Sequence, residues 1–179
     1  MSNTVLLWFF CPLLLFWGVG AYNRLVRLRA MAITAFAHLQ SQYAQYVSFV
    51  QINFAVLITD ERLSPRTSLV GAALQLEASL KVSNAHPLDS LLIRTLETAH
   101  ETLQTAWVRV CSEAPDLAGD PLPVTLQKQW VDIALQAGHD RSELNLRIED
   151  YNRGIQQFPA NLLAWLFRLK PVYGEKDDA

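Results

Sequence analysis

The sequence predicts an all-α chain: an N-terminal transmembrane helix that continues into an antiparallel helical bundle of about four helices. Three observations predict it. Residues 5–21 carry no charge and are almost wholly apolar. Residues 22–63 contain neither Gly nor Pro, a gap in helix breakers that argues for one long helix. Beyond Pro65, apolar residues recur in steps of three and four, and no strand-like alternation of any length competes.

Composition sets the frame. The 179 residues suit about one domain. Half of them are hydrophobic (51%) and only 18% are charged, short of the ~25% usual in soluble domains. The deficit is uneven. Residues 1–59 hold three charges, Arg24, Arg27 and Arg29, and no acid. The remaining 12 Lys and Arg face all 17 Asp and Glu, leaving residues 60–179 near −5. A nucleic-acid binder shows a basic stripe instead. Cys11 and Cys111 are too few for a disulfide framework, and neither sits in a reactive motif.

The anchor is assigned to residues 1–22. Its apolar run is near the lower end of the ~17–25 residues that span a hydrocarbon core. Trp8 and Trp17 fall toward its ends, where indole rings favour the membrane interface. Gly18-Val19-Gly20 resembles a cleavage site, but no basic residues precede the apolar run, so a retained anchor is favoured over a signal peptide. The three arginines lie just after it, and the positive-inside rule then puts the rest of the chain in the cytoplasm.

Residues 23–171 form the predicted bundle and residues 172–179 a polar tail. The first helix reaches Thr59, with Leu25, Leu28, Ala32, Phe36, Leu39, Tyr43, Tyr46, Val50, Phe54 and Leu57 as its stripe. Ser64-Pro65 breaks it. A second helix covers residues 67–83, with Leu69, Ala73, Leu76 and Leu80 inward. Residues 84–87 make a turn, since Pro87 biases His86 away from helix. Asp89 or Ser90 caps a third helix, whose stripe is Leu88, Leu92, Leu96, Ala99, Leu103, Trp107 and Val110. Residues 115–123 hold three prolines and a glycine and form a loop. A fourth helix covers residues 124–158, with Leu126, Trp130, Ile133, Ala137, Leu144, Ile148, Tyr151, Ile155 and Phe158 inward. Short connections make neighbours antiparallel, so the end of the fourth helix returns to the membrane.

That return gives the last segment a place. Residues 160–170 are too short to span. Trp165 and Phe167 suit the acyl boundary and Arg168 and Lys170 suit the headgroups, as in an interfacial helix. A short helix capping the bundle core fits the same residues.

Two motifs carry a family resemblance. Tyr22-Asn23, Leu25 and Val26 follow the anchor directly. Tyr151-Asn152, Ile155, Phe158-Pro159, Asn161-Leu162, Ala164, Phe167 and Lys170-Pro171 close the chain. Together they resemble the LemA family. The resemblance implies a divergent member: a single-pass bacterial inner-membrane protein with a cytoplasmic helical bundle and no settled biochemical activity. The chain departs from the family in its long first helix, where a basic stretch ending in Ile-Pro-Asn-Leu is replaced by residues 30–59 without a charge. Gln40, Ser41, Gln45, Ser48 and Gln51 lie off the apolar stripe of that helix. A surface of this kind suits cover by protein, either by the bundle itself or by a second copy.

Chemistry is sparse. His100-Glu101-Thr102-Leu103-Gln104 begins like a zinc-binding helix, but Gln104 stands where the second histidine belongs, and His100 reads as a surface residue. Arg94, Glu97 and Glu101 read as a solvated face. Glu149 and Asp150 are adjacent and diverge in direction. No serine or cysteine is placed for activation. The sequence calls for no catalytic residue, cofactor or metal. It calls for the lipid bilayer as a partner, with another membrane protein or self-association, and no nucleic acid. The expected role is a scaffold or protein-interaction module. The alternative is an accessory subunit of a membrane protease or transporter.

Overall fold

The computed structural model describes residues 2–54, 65–112, 122–158, 160–167 and 169–172, with side chains in the first helix described from Phe16 onward. Five helices occupy them: α1 Ser2–Phe54, α2 Pro65–Ala85, α3 Ser90–Ser112, α4 Val124–Gln156 and α5 Ala160–Leu166. The described residues contain no strand. The chain is an all-α bundle.

Local chemistry sets most boundaries. Pro65 opens α2, where its missing N–H is no loss and its fixed φ already suits a helix. The turn after α2 lies at residues 86–88, two residues beyond its expected place. Leu88 does not extend the α3 stripe. It is buried in the turn at φ 68°, a left-handed conformation that costs a non-glycine residue ~1–2 kcal/mol. Asp89 then caps α3, its Oδ1 accepting the Leu91 N–H at 2.9 Å. Pro123 precedes α4 in an extended conformation, and Gln157 ends it in another.

Ring contacts give the helix directions. Trp17 meets Phe158 and Tyr46 meets Trp130, so α1 and α4 run antiparallel. Tyr43 meets His100 and Phe54 meets Trp107, so α3 runs parallel to α1. The predicted stripes are largely the core: Leu25, Phe36, Leu39, Tyr43, Tyr46, Val50, Leu69, Leu76, Leu96, Leu103 and Leu144 are essentially inaccessible. Trp107 and Trp130 stack at 4.2 Å and 8° in the middle of it, with Phe49 edge-on to both.

Two expectations change, and a third lies outside the described residues. Phe158 is 72% exposed, because α4 stops at Gln156 and Phe158 swings out toward Trp17. The first helix is described only to Phe54, and Leu57, Thr59 and most of the 115–123 loop lie outside the described residues. The uncharged face of α1 is not simply central. Gln40 donates to Ser83 Oγ and Gln51 to Glu77 Oε2, but Ser41, Gln45 and Ser48 are open. Helix α2 thus covers the strip at Gln40 and Gln51 and leaves the residues between them exposed.

Among the described residues, no helix is long and apolar enough to cross a membrane. Residues 5–15 of the expected anchor, with Cys11, lie outside the described side chains, although the backbone of α1 runs through them as helix.

Candidate functional site

The end of the bundle nearest the α1 N-terminus gathers most of the residues singled out from the sequence. Leu25 and Leu28 of α1 face α4 at Gly154, where the approach is so close that a Cβ would lie 2.7 Å from Leu28 Cδ1 and 3.5 Å from Leu25 Cδ2. Only glycine permits that contact as it stands. The neighbouring residues of α4 turn to the C-terminal segment. The Tyr151 hydroxyl donates to the Lys170 carbonyl at 3.4 Å. Asn152 Nδ2 donates to the Val172 carbonyl, and Asn152 Oδ1 accepts the Val172 N–H at 2.9 Å. Burial raises the Tyr151 phenol above its ordinary pKa, and the Arg29 charge draws it partly back.

Among the described residues, the hydrogen bonds and ring contacts of the two Tyr-Asn motifs go to the end of the chain rather than to each other. Both converge on the chain end. Tyr22 packs its ring on Phe167 with centroids 5.0 Å apart. Asn23 and Val26 are exposed, as is Asn161, whose N–H continues the backbone ladder to the Gln157 carbonyl. Pro159 and Arg168 lie outside the described residues. Lys170 is exposed at the rim.

Helix α5 shows an inverted economy of side chains. It buries only Ala160 and Ala164. Its large residues face out, with Trp165 80% exposed and Leu162 and Leu166 more than half exposed, as is Phe167 just after it. Phe16, Trp17 and Phe158 are exposed as well and share a cleft with Ala160, the first residue of α5. Solvent-exposed apolar residues of this size, collected at one end, mark a contact surface.

Two clefts of about 490 Å³ flank the junction. One is apolar, walled by Phe16, Trp17, Gly20, Ala21 and Phe158 with Arg24 at its edge. The other is polar, between Arg29, the Pro87-to-Ser90 turn and residues 169–172.

A second polar group lies inside the bundle, and its members were read differently from the sequence. His100 is not a surface residue. It is 6% exposed, stacked on Tyr43 at 4.3 Å and 15° and tilted against Tyr46. Gln104 Nε2 lies 3.1 Å from His100 Nε2, so the residue that breaks the zinc pattern is the histidine's hydrogen-bond partner. Burial, then the Arg141 charge, pushes the His100 pKa down to about 4, which keeps the imidazole neutral at pH 7. Glu97 is likewise no solvated-face residue; it is buried and pairs with Arg141 of α4 at 3.4 Å. Burial pushes the Tyr46 phenol up to about 12, with Gln104 opposing. A neutral histidine between tyrosine rings, away from solvent, is built for packing rather than proton transfer. Glu149 is exposed and Asp150 pairs with Arg153, so these two acids share no site. Cys111 is exposed, with its thiol pKa raised by partial desolvation, the opposite of an activated thiol. No group of three or more His, Cys, Asp or Glu is placed to hold a metal among the described residues.

Sequence reasoning missed Gly154, Leu28, Arg29 and Val172 as parts of the junction. Gly154 carried a signal: an isolated glycine in a long helical pattern, beside Tyr151-Asn152, marks a close approach. Val172 carried none. No family model, curated protein or solved structure matches this chain.

Proposed function

We propose that this chain is a single-pass membrane-anchored helical bundle of the LemA type that acts as a scaffold or protein-interaction module, with its bundle on the cytoplasmic face of a bacterial inner membrane. The observation that carries the reading is the apolar end of the bundle. The uncharged residues 5–21 lead straight into it, and Trp165, Leu166, Phe167, Phe158 and Phe16 stand exposed around it. A helix that buries two alanines and presents Leu and Trp, with Phe167 exposed just after it, makes a poor cap for a core and a good interfacial segment. Arg24, Arg27 and Arg29 follow the uncharged run in sequence, and Arg29 and Lys170 line the cleft beside the aromatic residues, where headgroups would meet them. The resemblance of the two Tyr-Asn motifs to the LemA family supports the same arrangement. The open, charge-free strip at Ser41, Gln45 and Ser48 supports a protein-binding role.

The full chain should stay in the membrane pellet after alkaline carbonate washing. A probe on Trp165→Cys should report an apolar, lipid-accessible environment. Release into the supernatant by carbonate would overturn the anchor, and a water-exposed probe on a membrane-bound chain would overturn the interfacial role of α5. The same open strip also favours the second reading, an accessory subunit of a membrane protease or transporter. In-cell crosslinking from Ser48→Cys separates the two: a homodimer adduct supports self-association, and a constant adduct to a protease or transporter subunit supports the accessory role.

A further inference from the structure

We infer that the polar cleft formed by Arg29, Lys170 and the turn between α2 and α3 holds the phosphate of an anionic phospholipid headgroup. The inference rests on the membrane reading above and names the lipid chemistry it favours.

Three parts of the chain build the cleft. Arg29 comes from α1, Asp89 and Ser90 from the start of α3, and Lys170 from the segment after α5. Its volume, about 490 Å³, lies within the ~300–1,000 Å³ range of small-molecule sites. The charged residues in its wall are Arg29, Lys170 and Asp89, a net of one positive charge that complements one phosphodiester. Asp89 is already engaged by the Leu91 N–H. Lys81, Arg141, Arg147 and Arg153 each meet a carboxylate. Among the described residues, neither Arg29 nor Lys170 meets a carboxylate within salt-bridge distance, and both are exposed.

The cleft is organised, although its cations are exposed. Tyr151 is buried beneath it and ties down the Lys170 backbone through its hydroxyl. Asn152 ties down Val172, another wall residue. Leu88, in its left-handed conformation, also lines it, and strain of this kind recurs where a site demands it. The position along the membrane normal also fits. Phe167 lines the cleft and packs on Tyr22, so the cleft begins where the exposed aromatic ring ends. Side chains on a helix lean toward its N-terminus, which inclines Arg29 back toward the bilayer. A guanidinium and an ammonium lining one cleft are an ordinary means of holding a phosphate.

The test uses the full chain, purified in detergent, stripped of lipid, and titrated with phosphatidylglycerol or phosphatidylcholine while adducts are counted by native mass spectrometry. One phosphatidylglycerol should saturate before any phosphatidylcholine adduct forms. Arg29→Gln with Lys170→Gln should weaken that first adduct roughly tenfold or more, and Arg24→Gln with Arg27→Gln should leave it intact. Both pairs are exposed, so circular dichroism should show the same helicity and Tm in each. Equal weakening by the two pairs would assign the effect to a diffuse basic belt and overturn the site. Equal affinity for the two lipids would overturn it as well. A 31P titration with inorganic phosphate distinguishes the source. A saturable shift that needs Arg29 and Lys170, in a chain that shows no lipid adduct, assigns a soluble phosphate to the cleft. If the chain fails to sediment with membranes, the membrane reading falls. In that case the 31P arm still decides the cleft, and a flat titration ends it.

Discussion

Asn152 holds Val172 by both of its backbone polar groups, donating to the carbonyl through Nδ2 and accepting the N–H through Oδ1 at 2.9 Å. The pairing imitates one rung of a β-ladder, made by a side chain. It fastens residues 169–172, which belong to no helix, to α4 and closes the end of the bundle. Asn152→Ala removes both bonds and leaves the partly buried Val172 groups to find water, at about 1–2 kcal/mol. The C-terminal segment should then lose its protection in hydrogen exchange while α1 and α3 keep theirs. Asn152→Asp is sharper. At neutral pH its carboxylate still accepts the Val172 N–H but repels the Val172 carbonyl. Protonation supplies a donor again, so protection of the segment should recover as pH falls below the ordinary carboxylate pKa. Undiminished exchange protection in Asn152→Ala would show that the segment is held by something else.

Two glycines of α4 offer a matched comparison. Gly138 is exposed, and a Cβ there meets nothing within 4 Å. Gly138→Ala should raise stability by about 1 kcal/mol through helix propensity alone. At Gly154 the same gain is opposed by Leu28 Cδ1 at 2.7 Å. That atom ends a flexible side chain and can move, so Gly154→Ala should gain little or nothing. Gly154→Val, which must displace Leu25 as well, should lose about 1–3 kcal/mol. Chemical denaturation followed by the fluorescence of the stacked Trp107 and Trp130 reads all three. Equal stabilisation by the two alanine variants would mean that α1 and α4 are not in close contact at Leu28.

This junction also shows what a sequence can and cannot display. The stripes of α1 to α4 were legible because burial repeats every three or four residues, and Leu25, Leu39, Leu76 and Leu103 all follow that period. Pro65 and Asp89 were legible because a missing N–H and a short carboxylate have fixed uses at helix starts. Leu88 was misplaced because it satisfies the α3 period while sitting in the turn before it; apolar spacing does not register the sign of φ. His100 and Glu97 were assigned to the surface by residue type. Their burial depends on Arg141 and on the rings of Tyr43 and Tyr46, which come from helices far away in the chain. The grip on Val172 was invisible for the same reason: the Asn152 side chain holds backbone groups twenty residues away, which any residue type would offer.

The Glu97 and Arg141 pair spans α3 and α4 at 3.4 Å, with 11% and 24% of the two side chains exposed. Removing one partner of a fully buried pair costs ~3–5 kcal/mol. Arg141 keeps a quarter of its side chain in water, so Glu97→Leu should cost less, about 2 kcal/mol. Glu97→Leu combined with Arg141→Met should restore much of that loss, since an apolar pair leaves no charge stranded. A double-mutant cycle in urea measures the coupling. Strictly additive losses would mean that the two charges do not interact.

His100 sets a pH dependence with a definite sign. In the unfolded chain its imidazole has the ordinary pKa of ~6.5. In the folded bundle, burial and the Arg141 charge hold it at about 4. Above pH 6.5 the ring is neutral in both states and its contribution to stability is full. Below pH 6.5 the unfolded chain takes up a proton that the folded chain refuses. Stability should therefore fall by ~1.4 kcal/mol per pH unit until the folded ring titrates near pH 4, a total of about 3 kcal/mol. His100→Gln should remove that slope. It should also lose some stability at pH 7, because Tyr43 gives up its stacked ring. The carboxylates titrate in the same window, but in both proteins, so the quantity to plot is the difference in unfolding free energy between wild type and His100→Gln from pH 4 to 7. Arg141→Met should compress the window from its lower end by letting the folded-state pKa rise. A difference plot that stays flat from pH 4 to 6.5 would mean that the folded bundle admits a charged imidazole between Tyr43 and Tyr46.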